Sequence, residues 1–288
     1  DLEVRVEAVK ALVEIGTQHS LEPLTKAVRD NDPEVQIRAT DGLVNFYLPG
    51  YARTGLSGTL RRAGGRVAGR FTDTNDQVID SYIEVRPEII EALGWLVRNG
   101  ATMEARANAA RAVGVLRGRA ALADLLEAAR SKETQLIYES LVAVQKIGDR
   151  SAGPRLEFLL RDLDERVQAT AVETAGLLRN TGALPALAQV LGRTGSRRVR
   201  RAALTAIAMM PDPSVRTLLA GYLNDRDADL RAAAAEGLGR LNDPADLPAL
   251  QKGYDQESSA LARLSMAFGL VRHGRLEMTE FSPLQFLV

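Results

Sequence analysis

Apolar residues recur along this chain with a period of 31 residues. The first apolar position of each unit falls at Val4, Val35, Ala105, Leu136, Val167, Val199, Leu230 and Leu261, in steps of 31, 70, 31, 31, 32, 31 and 31. Four residues later stands a small side chain: Ala8, Ala39, Ala109, Ser140, Ala171, Ala203, Ala234 and Ser265. Four further on come Leu12, Leu43, Val113, Val144, Ala175, Ile207, Leu238 and Gly269. A spacing of four on one stripe is helical. The small column predicts a neighbouring helix lying close against it. A second, shorter helix follows in each unit, with its stripe at Leu24, Leu125, Leu156, Leu187, Leu219 and Leu250. Its next turn carries Val28, Ala129, Leu160, Leu191, Leu223 and Tyr254.

Turn signals separate the helices at Gly16, Gly118, Gly148-Asp149, Asn180, Pro211-Asp212 and Asn242-Asp243. Start signals precede the longer helices. Asp32 followed by Pro33 is an N-cap with proline at the first helical position, and Ser196 and Asp227 occupy comparable places. A lone helical pair leaves its apolar stripe wet, and stacked neighbours bury it. The pattern therefore predicts an all-α, right-handed α-solenoid of about eight stacked helical hairpins with one non-repeat insertion. Stacking at about 10 Å per helix gives a rod or arc roughly 80 Å long.

The order Asp, then Val-Arg, then Ala-x-x-Ala-Leu, ending in Gly or Asp, resembles the short bacterial HEAT-like repeat, the compact type also seen in phycobilin-lyase-like proteins. Asp1, Val4, Arg5, Ala8, Leu12 and Gly16 carry it, as do Asp227, Leu230, Arg231, Ala234 and Leu238. The resemblance covers nearly the whole chain outside residues 49–86. It implies the fold and, by itself, almost nothing of function. The recurring Asp and Arg imply an ion-pair ladder between neighbouring turns, interrupted where Gln36, Ile137, Gln168 and Ala262 replace Arg.

The step of 70 marks the one large break in the period. The resulting layout is repeats over 1–48, an insertion over 49–86, and repeats over 87–288 ending in a truncated unit. The insertion holds six glycines between Gly50 and Gly69, and Arg53, Arg61, Arg62, Arg66 and Arg70 with no acid from Gly42 to Thr72. Glycine-rich backbone with guanidinium forks suits an anion. A surface excursion whose arginines pair with nearby acids accounts for the same residues. Asp73, Asn75, Gln77 and Glu84 have calcium-loop offsets, but Val78 stands where that loop needs glycine, so the match reads as chance. A second cluster, Arg193, Arg197, Arg198, Arg200 and Arg201, crowds one inter-helix turn, again with no acid from Thr174 to Pro211. First-turn arginines oppose the helix dipole, so local stability does not explain them. A solvated face and a site for an acidic partner both remain readings of that turn.

Composition narrows the function classes. Lys plus Arg and Asp plus Glu balance at 37 each, whereas an obligate nucleic-acid partner shows as a basic excess. No apolar run reaches a membrane span, and no signal peptide is visible. The chain opens at Asp1 inside a repeat and closes on a partial one, so further repeats or a leader are expected outside it. Compartment stays open between cytoplasm and periplasm. The absence of Cys excludes disulfides and thiolate metal sites. The only histidines are His19 and His273, short of the several His-Glu pairs that HEAT-like di-iron hydroxylases need. No phosphate loop, nucleophile elbow or dinucleotide fingerprint occurs. Trp95 reads as core or cap packing beside the insertion.

These features predict a non-catalytic protein-binding scaffold, with no cofactor, no metal and no catalytic residue. By resemblance, the longer helices line its inner face, which the 49–86 insertion shapes. The exposed columns there, Glu7, Arg38, Asn108 and Glu139 beside Lys10, Asp41, Arg111 and Glu173, are mixed in sign. Two alternatives stay open: polyanion or nucleic-acid binding through the arginine clusters, and a helical-repeat enzyme such as a bilin-lyase-like protein. The candidate partner-binding residues are Arg53, Arg61, Arg62, Arg66, Arg70, Arg197, Arg198, Arg200 and Arg201.

Overall fold

The computed structural model describes residues 1–51 and 77–288. They divide into two compact units, Asp1–Ala152 and Gly153–Val288. Among the described residues every regular element is a helix. In each unit the hairpins stack in chain order, as an all-α solenoid.

The first unit opens with α1 (Leu2–Ile15) and α2 (Gln18–Ala27) and continues with α3 (Pro33–Tyr47) and α4 (Pro87–Asn99). It closes with α5 (Met103–Val115), α6 (Leu122–Ala128) and α7 (Thr134–Ile147). The long helices α1, α3, α5 and α7 pack each on the next, while α2, α4 and α6 form a second layer. Because α3 lies directly against α5, the long step in the period falls inside one hairpin, between α3 and α4. Residues 77–86 return to the stack without helix. There Ile79 is buried and its N–H donates to Val115 O (3.0 Å), and Lys146 Nζ donates to Gln77 O (2.9 Å).

A 3₁₀ helix, Arg150–Arg161, leads into the second unit. Pro154 lies in it and has no N–H to donate. Then follow α8 (Glu165–Leu177), α9 (Leu184–Arg193), α10 (Arg197–Ala208), α11 (Arg216–Tyr222) and α12 (Ala228–Leu241). The unit ends with α13 (Leu247–Gln256), α14 (Ala260–Arg272) and α15 (Pro283–Leu287). Here α8, α10, α12 and α14 are the long helices, packed in that order.

Both short-helix columns read from the sequence are buried throughout. The long-helix columns are buried in the middle of the array and depart at its ends. Val4 is 65% exposed, and Val6 and Val9 carry the burial of α1 instead. Leu261 is 50% exposed and Ala262 fully buried, so α14 sits one residue out of the expected register. Phe281 stands twenty residues after Leu261, the spacing of the short-helix column, but it takes a left-handed turn (φ 65°) and lies exposed. Pro283 is buried instead, and Tyr254 donates its hydroxyl to Phe281 O.

The closest approach between long helices falls at glycines five residues beyond the small column, after Ala109, Ala171 and Ala234. A Cβ on Gly114 would lie 2.6 Å from Ala143 Cα, one on Gly176 2.7 Å from Ala206 Cα, and one on Gly239 2.7 Å from Gly269 Cα. These are helix-to-helix backbone contacts that no side chain fits between.

Caps follow the sequence signals. Asp32 accepts from the N–H of Glu34 and Val35, Asp164 from Arg166 and Val167, and Ser196 from Val199. At two helix ends the left-handed residue is not the one the turn signal marks. Arg117 and Arg179 adopt it (φ 49° and 52°), so that Gly118 N and Asn180 N reach back to Val113 O and Ala175 O.

Candidate functional site

The polar face of the first unit's long helices is a network of side chains bonded to one another. Asn108 Nδ2 on α5 donates to Asp41 Oδ1 on α3 (3.0 Å). Arg111, one turn further along α5, forks onto Glu139 of α7, with Nη2 to Oε1 at 2.5 Å and Nε to Oε2 at 3.1 Å. Gln135 donates to the same carboxylate (2.8 Å). Glu34 and Arg38 on α3, and Glu7 and Lys10 on α1, pair within their own helices. Tyr51, just beyond α3, is buried beside Arg111 and Asp41.

Glu139 was expected on an exposed face and is only 2% exposed. Arg38 and Asn108 of its own column, and Arg111 of the adjoining one, are half-buried. The reason is partnership across helices, which turns solvated positions into a paired layer. Burial pushes the Asp41 carboxyl up to about 6, against the lowering pull of Asn108 and Arg111. Burial, with Asp41 beside it, also pushes the Tyr51 hydroxyl up. Burial would lower Arg111, but the Glu139 carboxylate holds it above its ordinary value.

A second recurring arrangement ties the turns together. At the expected arginine column, side-chain donors reach back to the carbonyls that end the preceding short helix. Gln36 donates to Asp30 O, Arg106 to Val97 O, Gln168 to Leu160 O, Arg200 to Thr194 O and Arg231 to Asp225 O. Glutamine replaces arginine here because the position needs a donor more than a charge. Arg5 also pairs forward with Asp30, and Arg231 with Glu257. The ladder is thus partly ionic and partly a run of side-chain caps.

Of the candidate partner-binding residues, Arg53, Arg61, Arg62, Arg66 and Arg70 lie outside the described residues, as do Asp73 and Asn75 of the calcium-like offsets. Arg197 and Arg201 both turn to Asp227, the N-cap of α12, at 2.9 and 2.8 Å, and Arg201 also meets Asp229. Arg201, then Arg197, hold the Asp227 carboxyl well below the usual carboxylate range. Arg198 and Arg200 are exposed, as is Arg193. His273 has both ring nitrogens against carbonyls, Gly269 O at 2.7 Å and Asp243 O at 2.9 Å, which leaves neither nitrogen for a metal. Among the described residues no group of His, Cys, Asp and Glu is arranged to hold a metal ion. No helix among them is long and apolar enough to cross a membrane. Trp95 is half-buried with the Arg29 guanidinium 5.5 Å from its ring centroid.

Known helical-repeat families match parts of this chain. The family model described as HEAT repeats matches residues 153–236 and 184–270. The model described as PBS lyase HEAT-like repeat matches residues 4–30. No curated protein matches the chain. Among solved structures, YibA of E. coli is 14% identical over 93% of this chain and 96% of its own, with a TM-score of 0.52. The complex of CpcE and CpcF of phycocyanin lyase from Nostoc sp. PCC7120 matches at 18% identity over 93% of this chain and 94% of that one, with a TM-score of 0.48. A designed armadillo repeat protein matches at 15% identity over 64% of this chain and all of its own, with a TM-score of 0.48.

Proposed function

We propose that this chain, which belongs to the HEAT-like repeat family, is a non-catalytic protein-binding scaffold that presents its long-helix face to a partner protein. One observation carries the reading. The polar columns of the first unit are paired along their length, Glu7 with Lys10 inside α1 and Glu34 with Arg38 inside α3, and cross-linked from α3 to α7 by Asn108–Asp41 and Arg111–Glu139. A surface already held in place loses little side-chain freedom on binding. Its mixed sign favours a protein of complementary pattern over a polyanion, which rewards charge of one sign.

The test is affinity capture with the full chain against a charge-swapped version carrying Glu7→Lys, Lys10→Glu, Glu34→Arg and Arg38→Glu. The swap retains an ion pair at each place, so the thermal midpoint should move by only a few degrees. A protein captured by the native chain and lost by the swapped one supports the scaffold. Equal capture by both chains, or no partner for either, sinks it.

A further inference from the structure

We propose that the turn between α9 and α10 docks an acidic segment of the partner protein, through Arg193, Arg198 and Arg200. This rests on the scaffold reading and names a chemistry for the partner.

The turns that precede the second unit's long helices share one device. A side chain accepts the N–H two residues on: Asp162 from Asp164, Thr194 from Ser196, Asp225 from Asp227 and Glu257 from Ser259. At three of the four the acceptor is a carboxylate, so the hydrogen bond brings negative charge with it. Thr194 keeps the hydrogen bond and supplies no charge. The turn that lacks its carboxylate is the one where the arginines crowd.

Two of those arginines are already engaged, since Arg197 and Arg201 reach across to Asp227. The other three are exposed, and among the described residues no carboxylate pairs with them, Arg200 giving only one Nη2 hydrogen bond to Thr194 O. Positive charge in the first turn of α10 opposes the helix dipole. Folding therefore gains nothing from Arg198 and Arg200 as charges, while a carboxylate brought by a partner gains from all three. The neighbouring turns select the occupant. α8 and α12 pack on either side of α10, and their N-terminal turns carry Asp162 and Asp164, and Asp225, Asp227 and Asp229. A long polyanion laid across this edge meets like charge on both sides. A short acidic stretch of polypeptide fits one basic turn between two acidic ones.

The probe is fluorescein-labelled octaglutamate, followed by anisotropy with the full chain at low salt. We expect binding that weakens with added salt. The variant Arg193→Ala/Arg198→Ala/Arg200→Ala should bind about tenfold more weakly, as expected for three lost exposed pairs. Thr194→Asp gives an independent reading. It restores the carboxylate found in the neighbouring turns, keeps the Ser196 hydrogen bond and thermal midpoint, and should weaken octaglutamate binding similarly. Arg161→Ala/Arg226→Ala, which removes exposed arginines from the acid-bearing turns, should bind like the native chain. The proposal is overturned if the native chain does not bind octaglutamate, if both turn variants bind it undiminished, or if short duplex DNA binds more tightly through the same arginines. If the partner protein is lost by the charge-swapped first unit but kept by the triple arginine variant, the scaffold stands and this docking point falls.

Discussion

Arg111 and Glu139 stand 28 residues apart in sequence and share a bidentate ion pair whose acidic member is buried. Removing one partner strands the other, and for a buried carboxylate that is the costly outcome. Arg111→Met should cost about 2–4 kcal/mol in urea unfolding, and adding Glu139→Leu should recover much of the loss. Asp41 carries the opposite kind of strain. Its folded-state pKa of about 6 lies above the ordinary 3.8, so the native state holds a proton that the unfolded chain has released between those values. Stability from this residue is therefore greatest near pH 4, falls as pH rises through 6, and is lowest above it. Asp41→Asn should raise stability by about 1–2 kcal/mol at pH 8, with the gain vanishing near pH 4; melts at both pH values check this. Gln36 shows a third case. Its buried amide donates to Asp30 O and accepts from Ala101 N, so Gln36→Leu should cost about 1–3 kcal/mol.

At the scale of elements, the helices and their caps were legible in the sequence because both signals are local. Four-residue apolar spacing and an Asp or Ser before the first turn are read within a dozen residues. Departures came where burial depends on neighbours, as at Val4, Leu261 and Phe281. The glycines behave the same way, since Gly114 and Gly192 look alike in sequence. Gly114 faces the Ala143 backbone, whereas Gly192 on α9 has nothing near its missing Cβ. Gly114→Ala should lower stability by about 1–3 kcal/mol through overpacking. Gly192→Ala should raise it by up to about 1 kcal/mol through helix propensity. Opposite shifts in thermal midpoint check the pair.

At the scale of the whole molecule, a repeat array is stabilised by contacts between successive units, so damage stays near its source. Within the second unit, Gly239→Val forces α12 from α14. Amide exchange should rise most across those two helices and least in α8; uniform acceleration through the unit would contradict this. The chain's period, its helical class, its caps and its family likeness all follow from the sequence, because each depends on spacing along one chain. The candidate surface does not. The columns of Asp41, Asn108, Arg111 and Glu139 read as solvated positions of mixed sign, and only packing turned them into a bonded network. Likewise, an arginine-rich turn is visible as letters, but which arginines are already paired is not. Arg197 and Arg201 meet Asp227 only because α10 and α12 are set side by side, while Arg193, Arg198 and Arg200 are left exposed with no carboxylate beside them. Partnership between side chains depends on the distance and rotation between helices, and those are quantities that tertiary packing sets.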